Sequence, residues 1–246
     1  MSPEASGKLG IITALPAEAN CLTQYAFQTQ MISAISDNTL VLISGIGAQN
    51  AAFAAQKLIN EGVTTLVSWG TAGSLSENLQ PGDIVLPESV QLSHDQIYRV
   101  DQNWRQQLIK QITPEINPHG GSLLHSNEVI TTAEQKSQLH DDTEAVAVDM
   151  ESGVVAQIAD QRGLPFLIIR SIVDSSTESI PTTAINSIDE FGQTKPIALM
   201  TNLIKKPGDI PKLIRLGKHF RLARKSLQQV SVLTGTTLAH SANSEI

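Results

Sequence analysis

The chain has 246 residues, 41% of them hydrophobic, and a net charge of -7. That length suffices for one large α/β domain, and the negative charge argues against a general nucleic-acid binder. No apolar run is long enough to cross a bilayer, and no signal-peptide pattern is present, so we expect a cytoplasmic protein. The single cysteine, Cys21, excludes an internal disulfide framework, and the six histidines show no metal-ligand spacing.

Strands are predicted where short apolar runs end at glycine, proline or polar residues. These runs are Leu9–Ala14, Leu40–Ser44, Thr64–Trp69, Ile84–Leu86, Ser122–Leu124, Ala145–Val148 and Pro165–Val173. Helical patterns lie between them, over residues 48–60, 105–112, 132–139 and 153–161. This alternation predicts a single-domain α/β protein with three α/β/α layers and a mixed central sheet.

The C-terminal segment combines positive charge with helical periodicity. Eight of the seventeen basic residues lie between Lys205 and Lys225. Spacings of three and four residues join an apolar stripe, made of Leu213, Leu216, Phe220, Ala223, Leu227 and Val230. We assign residues 1–204 to a catalytic domain, 205–238 to a basic amphipathic helix and 239–246 to a flexible tail. The helix either packs on its own domain or contacts a membrane surface, and both interpretations stay open.

Two acidic residues follow apolar strands. Glu151 comes shortly after the strand that ends at Val148, and Asp174 directly follows the strand that ends at Val173. Open α/β sheets bind ligands at the carboxyl ends of their strands, so both residues are candidate site residues. The alternative is that Glu151 caps the next helix and Asp174 begins a turn. Arg170 lies within the second strand, where a buried arginine requires a partner.

Three glycine-bearing segments, interpreted as turns, occur in the N-terminal half. They cover residues 44–47, 70–73 and 81–83. Glycine lets the backbone approach a ligand closely or adopt a positive φ. None of the three matches a dinucleotide or Walker phosphate-binding pattern, so we expect no nucleotide cofactor and no metal.

Six segments, in this order and spacing, resemble the purine nucleoside phosphorylase/uridine phosphorylase superfamily, and most closely its methylthioadenosine/S-adenosylhomocysteine nucleosidase branch. They are Gly10–Glu18, Ser44–Gly47, Gly70–Gly73, Pro81–Val85, Val148–Glu151 and Arg170–Asp174. The resemblance extends from about residue 9 to 175. Beyond it, residues 180–181, 192–196 and 206–213 resemble a narrower group, the hopanoid-associated phosphorylases, also described as adenosylhopane nucleosidases.

The resemblance implies that the enzyme cleaves the ribose C1′–N9 bond of an adenosine-type nucleoside through a ribosyl cation-like transition state. Adenosylhopane, in hopanoid biosynthesis, is the substrate that the narrower group implies. Asp174 would protonate N7 of the purine, Glu18 would activate water, and Arg170 would help to orient water and sugar. The implied substrate-binding residues are Glu151 and Met150 at the ribose, Thr71, Ala72 and Gly73, and Val129 and Ile130 at the base. A homo-oligomer is also implied.

Departures from the family pattern bear on the reaction. Phosphorylases of the superfamily place a phosphate-binding arginine just before the second glycine segment, where this chain has Ser68 and Trp69. A phosphate dianion without a cation would be held poorly, so we expect hydrolysis. A phosphate-dependent nucleoside phosphorylase and a non-catalytic purine-binding or membrane-docking module are the alternatives. The non-catalytic module conflicts with the presence of several ionisable residues at one site. Asp149 is interpreted as structural.

Overall fold

The structure, a computed structural model, describes residues 7–23, 27–93, 95–193 and 195–240. Its strands are β1 Leu9–Thr13, β2 Ile32–Ser36, β3 Thr39–Ile43, β4 Thr65–Ser74, β5 Ile84–Val85, β6 Ser89–Ser93, β7 Gln96–Arg99, β8 Ser122–His125, β9 Ala145–Asp149 and β10 Phe166–Asp174. Its α-helices are α1 Pro16–Ala19, α2 Ala48–Asn60, α3 Gln102–Ile112, α4 Ala133–Thr143, α5 Ser152–Gln161, α6 Thr182–Ile185, α7 Pro196–Lys205 and α8 Ile210–Thr234. Two short 3₁₀ turns cover Pro207–Asp209 and Gly235–Thr237.

The strands form one mixed sheet. Their order is β2-β3-β1-β4-β9-β8-β6-β7, and β10 pairs with both β4 and β5. Strand β4 runs parallel to β1 and β10 and antiparallel to the end of β9. The predicted mixed central sheet is therefore confirmed, and β4 and its neighbours bring several strand ends together at one edge.

Helices cover the sheet in two groups, as the predicted three-layer fold requires. Helices α2 and α5 pack against each other, and α8 packs against α3 and β10. The apolar strand residues form the core between these groups, and the indole of Trp69 is fully buried within it. Burial of both faces explains why the central strands are mostly apolar, although β4 and β10 also contain polar residues.

The second glycine segment is the main correction to the sequence analysis. Residues 70–73 are not a turn, because β4 continues through them to Ser74. A Cβ on Gly70 would lie 2.4 Å from Nη1 of Arg170 and 2.9 Å from the carboxylate of Glu18. Glycine is thus required at position 70 because any side chain there would clash with Arg170 and Glu18. The turn interpretation holds for Gly47 and Gly82, whose φ angles are both +99°.

Several elements were not predicted from sequence. Strands β2, β6 and β7 mix polar and apolar residues and are only partly buried, so they lack the continuous apolar runs of the central strands. Strands β6 and β7 form an antiparallel hairpin, with β7 last in the strand order. Helix α7 begins at Pro196, the last residue of the resembling segment 192–196, and no helix was predicted there.

Helix α8 buries the C-terminal half of the predicted stripe. Ala223, Leu227 and Val230 are fully buried, whereas Leu213, Leu216 and Phe220 are only partly covered. Of the predicted tail, Ala239 and His240 are described, and the ring of His240 contacts that of Trp104 edge-on. Residues 241–246 lie outside the described residues. None of the described helices is long and apolar enough to cross a membrane.

Candidate active site

A cavity of about 250 Å³ opens at the carboxyl ends of β1, β4, β9 and β10. Nine of the ten predicted site residues line it, namely Glu18, Thr71, Ala72, Gly73, Val129, Ile130, Met150, Glu151 and Asp174. Arg170 is the exception. The described His, Cys, Asp and Glu residues include no group that could hold a metal ion.

Glu18 lies at the cavity wall because β1 ends at Thr13 and the short helix α1 follows. Its carboxylate is 2% exposed and accepts four hydrogen bonds. Oε1 accepts the backbone N–H and the hydroxyl of Thr71, both at 2.8 Å. Oε2 accepts the Thr13 hydroxyl at 3.0 Å and the Leu15 N–H at 3.1 Å. These donors fix the carboxylate beside the Thr71 hydroxyl, which also lines the cavity.

Arg170 lies behind the cavity wall and not among its lining residues. Its Nε donates to Oδ2 of Asp149 at 2.7 Å, and its Nη2 donates to Ser68 at 2.8 Å and to Ser152 at 3.0 Å. Asp149 is thus the partner that a buried strand arginine requires. Asp149 also accepts the Ser152 backbone N–H at the start of α5, in keeping with its structural interpretation. The structure brings Arg170 within 3.9 Å of Glu151.

Glu151 joins two segments that are distant in sequence. Its Oε1 accepts the backbone N–H of Gly47 at 2.8 Å, which places the first glycine turn beside the end of β9. Burial, the largest cause, and the neighbouring Asp149 and Glu18 carboxylates together raise the pKa of Glu151 to about 7, against the opposing effects of Arg170 and the Gly47 N–H. Near neutral pH both the protonated and the ionised form of this side chain are therefore populated.

Asp174, at the end of β10, is buried against the cavity, and burial raises its pKa. A lysine that the sequence analysis did not identify, Lys136 of α4, pairs with its Oδ2 and opposes that increase. The sequence carries no signal for Lys136, because α4 is a mostly polar helix and Lys136 is its buried residue. A Cβ on Gly73 would lie 3.3 Å from this carboxylate.

Apolar side chains form the rest of the cavity. Met150 and Ile130 line it together with three isoleucines that were not predicted, Ile46, Ile180 and Ile188. Val129 and Ile188 are 39% and 36% exposed. Glu128, another lining residue not predicted from sequence, precedes Val129. The site thus combines carboxylates with aliphatic walls, which suits a ligand that has a polar sugar and an apolar ring.

Known proteins resemble this chain in sequence and in fold. The Phosphorylase superfamily pattern matches residues 8–203. A 5′-methylthioadenosine/S-adenosylhomocysteine nucleosidase of Buchnera aphidicola is 30% identical over 75% of this chain and 82% of its own length. A nucleosidase of the same name from Exiguobacterium is 27% identical over 77% of this chain and 93% of its own length. The Helicobacter pylori futalosine hydrolase structure has a TM-score of 0.65 at 17% identity, covering 92% of this chain and 97% of that one.

A putative nucleosidase from Francisella philomiragia has a TM-score of 0.67 at 19% identity, covering 92% of this chain and 96% of its own. These solved structures confirm the predicted fold. The sequence relatives, named as nucleosidases, confirm the predicted enzyme class of N-ribosyl hydrolase. On the extent of the sequence match, the chain belongs to the phosphorylase superfamily.

Proposed function

We propose that the protein hydrolyses the N-glycosidic bond of an adenosine-type nucleoside and releases adenine. The composition of the cavity wall carries this proposal. Five carboxylates line the cavity, those of Glu18, Glu128, Asp149, Glu151 and Asp174, and no lysine or arginine is among its described lining residues. A phosphate dianion would meet like charge without a cation there, whereas carboxylates stabilise a developing ribosyl cation.

Departure of the base requires a proton at N7 of the purine, and we assign its delivery to Asp174. Burial favours the protonated form of this side chain, which is the form that a general acid needs. Proton transfer neutralises the leaving adenine as the C1′–N9 bond breaks. Asp174 becomes a carboxylate in the same step.

Ribose and water are assigned to the other two acids. Glu151 would accept hydrogen bonds from the ribose hydroxyls, with Met150 against the sugar ring. The Thr71 hydroxyl donates to Glu18 and keeps acceptor lone pairs free for a water at the cavity. A proton lost by the attacking water would pass through this hydroxyl to Glu18 while the water oxygen bonds to C1′. Arg170 would act from behind the wall by holding Asp149 and Glu151.

We further propose that the substrate carries a large apolar 5′ group, as an adenosylhopane does. The cavity volume of about 250 Å³ lies below the roughly 300–1,000 Å³ of drug-sized ligand sites, so a long 5′ group would extend out of it. The partly exposed Val129 and Ile188 offer that group an apolar rim.

Membrane contact is the second part of this substrate proposal. Ile180 lines the cavity on one side and a small groove with Lys212 and Leu216 on the other. On α7 and α8, which also carry basic residues, Ile204 and Ile214 are 79% and 56% exposed. Such a surface would hold the cavity mouth against an anionic bilayer that contains the lipid substrate. The homo-oligomer and the cytoplasmic location stay predictions.

The test is incubation with adenosine, 5′-methylthioadenosine and an adenosine with a long 5′-alkyl group, each with and without phosphate. We expect adenine release that does not depend on phosphate and a higher kcat/KM for the alkyl compound. Turnover only with phosphate would establish a phosphorylase. Equal kcat/KM values for the three substrates would contradict only the proposal of a large apolar 5′ group. Binding without turnover would indicate a non-catalytic module.

A further inference from the structure

Lys136 is a fully buried lysine whose ammonium group lies next to the proposed general acid. It projects from α4 and makes three contacts: with Oδ2 of Asp174, with the backbone carbonyl of Ser175 at 2.6 Å and with that of Glu178 at 2.9 Å. An ammonium group has three N–H donors. Each donor therefore has one acceptor, and the cation is fully satisfied although it is removed from water.

These contacts also constrain the chain that follows β10. Both carbonyl acceptors belong to the segment 175–178, and the carboxylate of Glu178 contacts α8 through Arg215 at 3.0 Å and through His219 at 3.5 Å. Lys136 thus ties Asp174 and this segment to α4. Because Lys136 occupies Oδ2, Oδ1 is the oxygen left to meet a ligand in the cavity.

We propose that Lys136 is a positioning residue for the reaction: it holds Oδ2 of Asp174 and the segment 175–178, so that Oδ1 is presented to N7 of the purine. This inference rests on the proposed function, because it assigns Lys136 a role toward the acid named there. A fixed ammonium allows only one orientation of the carboxyl group. General acid catalysis depends on such orientation, since a small displacement reduces the rate strongly.

The charge of Lys136 has a second consequence. Burial raises the pKa of Asp174, Lys136 lowers it, the Glu178 carboxylate raises it and His219 lowers it. Arg215 is paired with Glu178. An acid must carry its proton to act, so activity falls as pH rises through the pKa of Asp174. Removing Lys136 removes a charge that lowers the pKa of Asp174, so this pKa should rise. The decline in activity should then occur at higher pH.

The test compares Lys136→Met with the charge-retaining Lys136→Arg and with a matched control, Lys110→Met, at an exposed lysine of α3. For Lys136→Met we expect kcat to fall by about 10²-fold with little change in KM. The decline of its activity at alkaline pH, the alkaline limb of the pH profile, should move to higher pH by about one pH unit or more. Lys136→Arg should keep the limb in place, and Lys110→Met should match the original protein. Lys136→Gln replaces the Met variant if that variant does not fold.

Asp174→Asn, alone and combined with Lys136→Met, separates this inference from the proposed function. We expect the double variant to be no slower than Asp174→Asn, because the lysine acts through the acid. Near-normal turnover by Asp174→Asn would contradict the general acid itself. Loss of turnover by Asp174→Asn, with an unchanged kcat and pH limb in folded Lys136→Met, would overturn the role of Lys136 alone.

Discussion

Arg170 and Asp149 form a buried ion pair at the cavity wall, with Nε of the arginine 2.7 Å from Oδ2 of the aspartate; Asp149 lines the cavity and Arg170 lies behind it. Ser68 and Ser152 accept the remaining hydrogen bonds that the structure assigns to the guanidinium. Arg170 is therefore already occupied and does not project into the cavity to bind an anion. Its charge instead allows several carboxylates to lie close together at the carboxyl ends of the strands.

Breaking this pair should destabilise the fold. Arg170→Met leaves the Asp149 carboxylate buried without its counter-ion, so we expect a loss of about 3–5 kcal/mol in the free energy of unfolding. Arg162→Gln, at an exposed arginine just after α5, is the control and should change it by no more than about 0.5 kcal/mol. Urea unfolding measures both variants. A loss for Arg170→Met no larger than that of the control would show that the pair does not stabilise the protein.

Asp174→Asn should abolish adenine release without unfolding the protein. The amide is nearly the same shape as the carboxyl group but cannot deliver the proton, so kcat should fall by about 10²–10⁴-fold. Adenine release gives the rate, and circular dichroism and adenine binding verify the fold and the site. Near-normal turnover in a folded variant would remove Asp174 from the mechanism.

The affinity for ribose should depend on the ionisation of Glu151. With its pKa raised to about 7, this carboxyl group is largely neutral below that pH and ionised above it. Ribose hydroxyls donate more strongly to the ionised form, so affinity should increase as pH rises through about 7. Calorimetry with a C-nucleoside analogue, which cannot be cleaved, measures this.

Two variants identify the titrating group in that experiment. Glu151→Gln should bind weakly and lose this increase, whereas Asp174→Asn should retain it. The assignment is wrong if Glu151→Gln shows the same pH dependence as the original protein.

Membrane contact is tested by co-sedimentation with anionic vesicles. Arg215 and Arg224 are unsuitable for the test, because Arg215 pairs with Glu178 and Arg224 donates to the Ala17 carbonyl. The test variant therefore changes three exposed residues of α8 to Gln: Lys212, Lys218 and Arg221. The control changes three exposed basic residues elsewhere to Gln: Arg99, Lys110 and Arg162.

At about 1 kcal/mol per basic residue, the α8 variant should bind vesicles roughly a hundredfold more weakly than the original protein, and the control should lose much less. Equal and negligible binding by all three proteins would end the membrane proposal. Adenine release from water-soluble substrates would not be affected by that result.

Strand ends made much of the site predictable from the sequence. Glu151 and Asp174 follow apolar runs, and ligands of α/β sheets bind at the carboxyl ends of such strands, so both positions were predicted from the sequence. The sequence did not show that the end of β9 meets the end of β4 in an antiparallel pairing. Gly70 was wrongly predicted to lie in a turn, because two closely spaced glycines are typical of turns. The space beside its Cα is occupied by the side chains of Arg170 and Glu18, each more than fifty residues from Gly70 in the sequence. Lys136 lies in a polar helix, and only the fold shows that it faces inward.

The origin of the oxygen on the sugar product distinguishes hydrolysis from phosphorolysis. A single turnover in water enriched in heavy oxygen, with phosphate present, should place the label on the anomeric carbon of a free ribosyl product. This follows from a cavity whose described lining residues include five acidic residues and no basic side chain. An unlabelled ribose 1-phosphate, formed only when phosphate is added, would contradict the account.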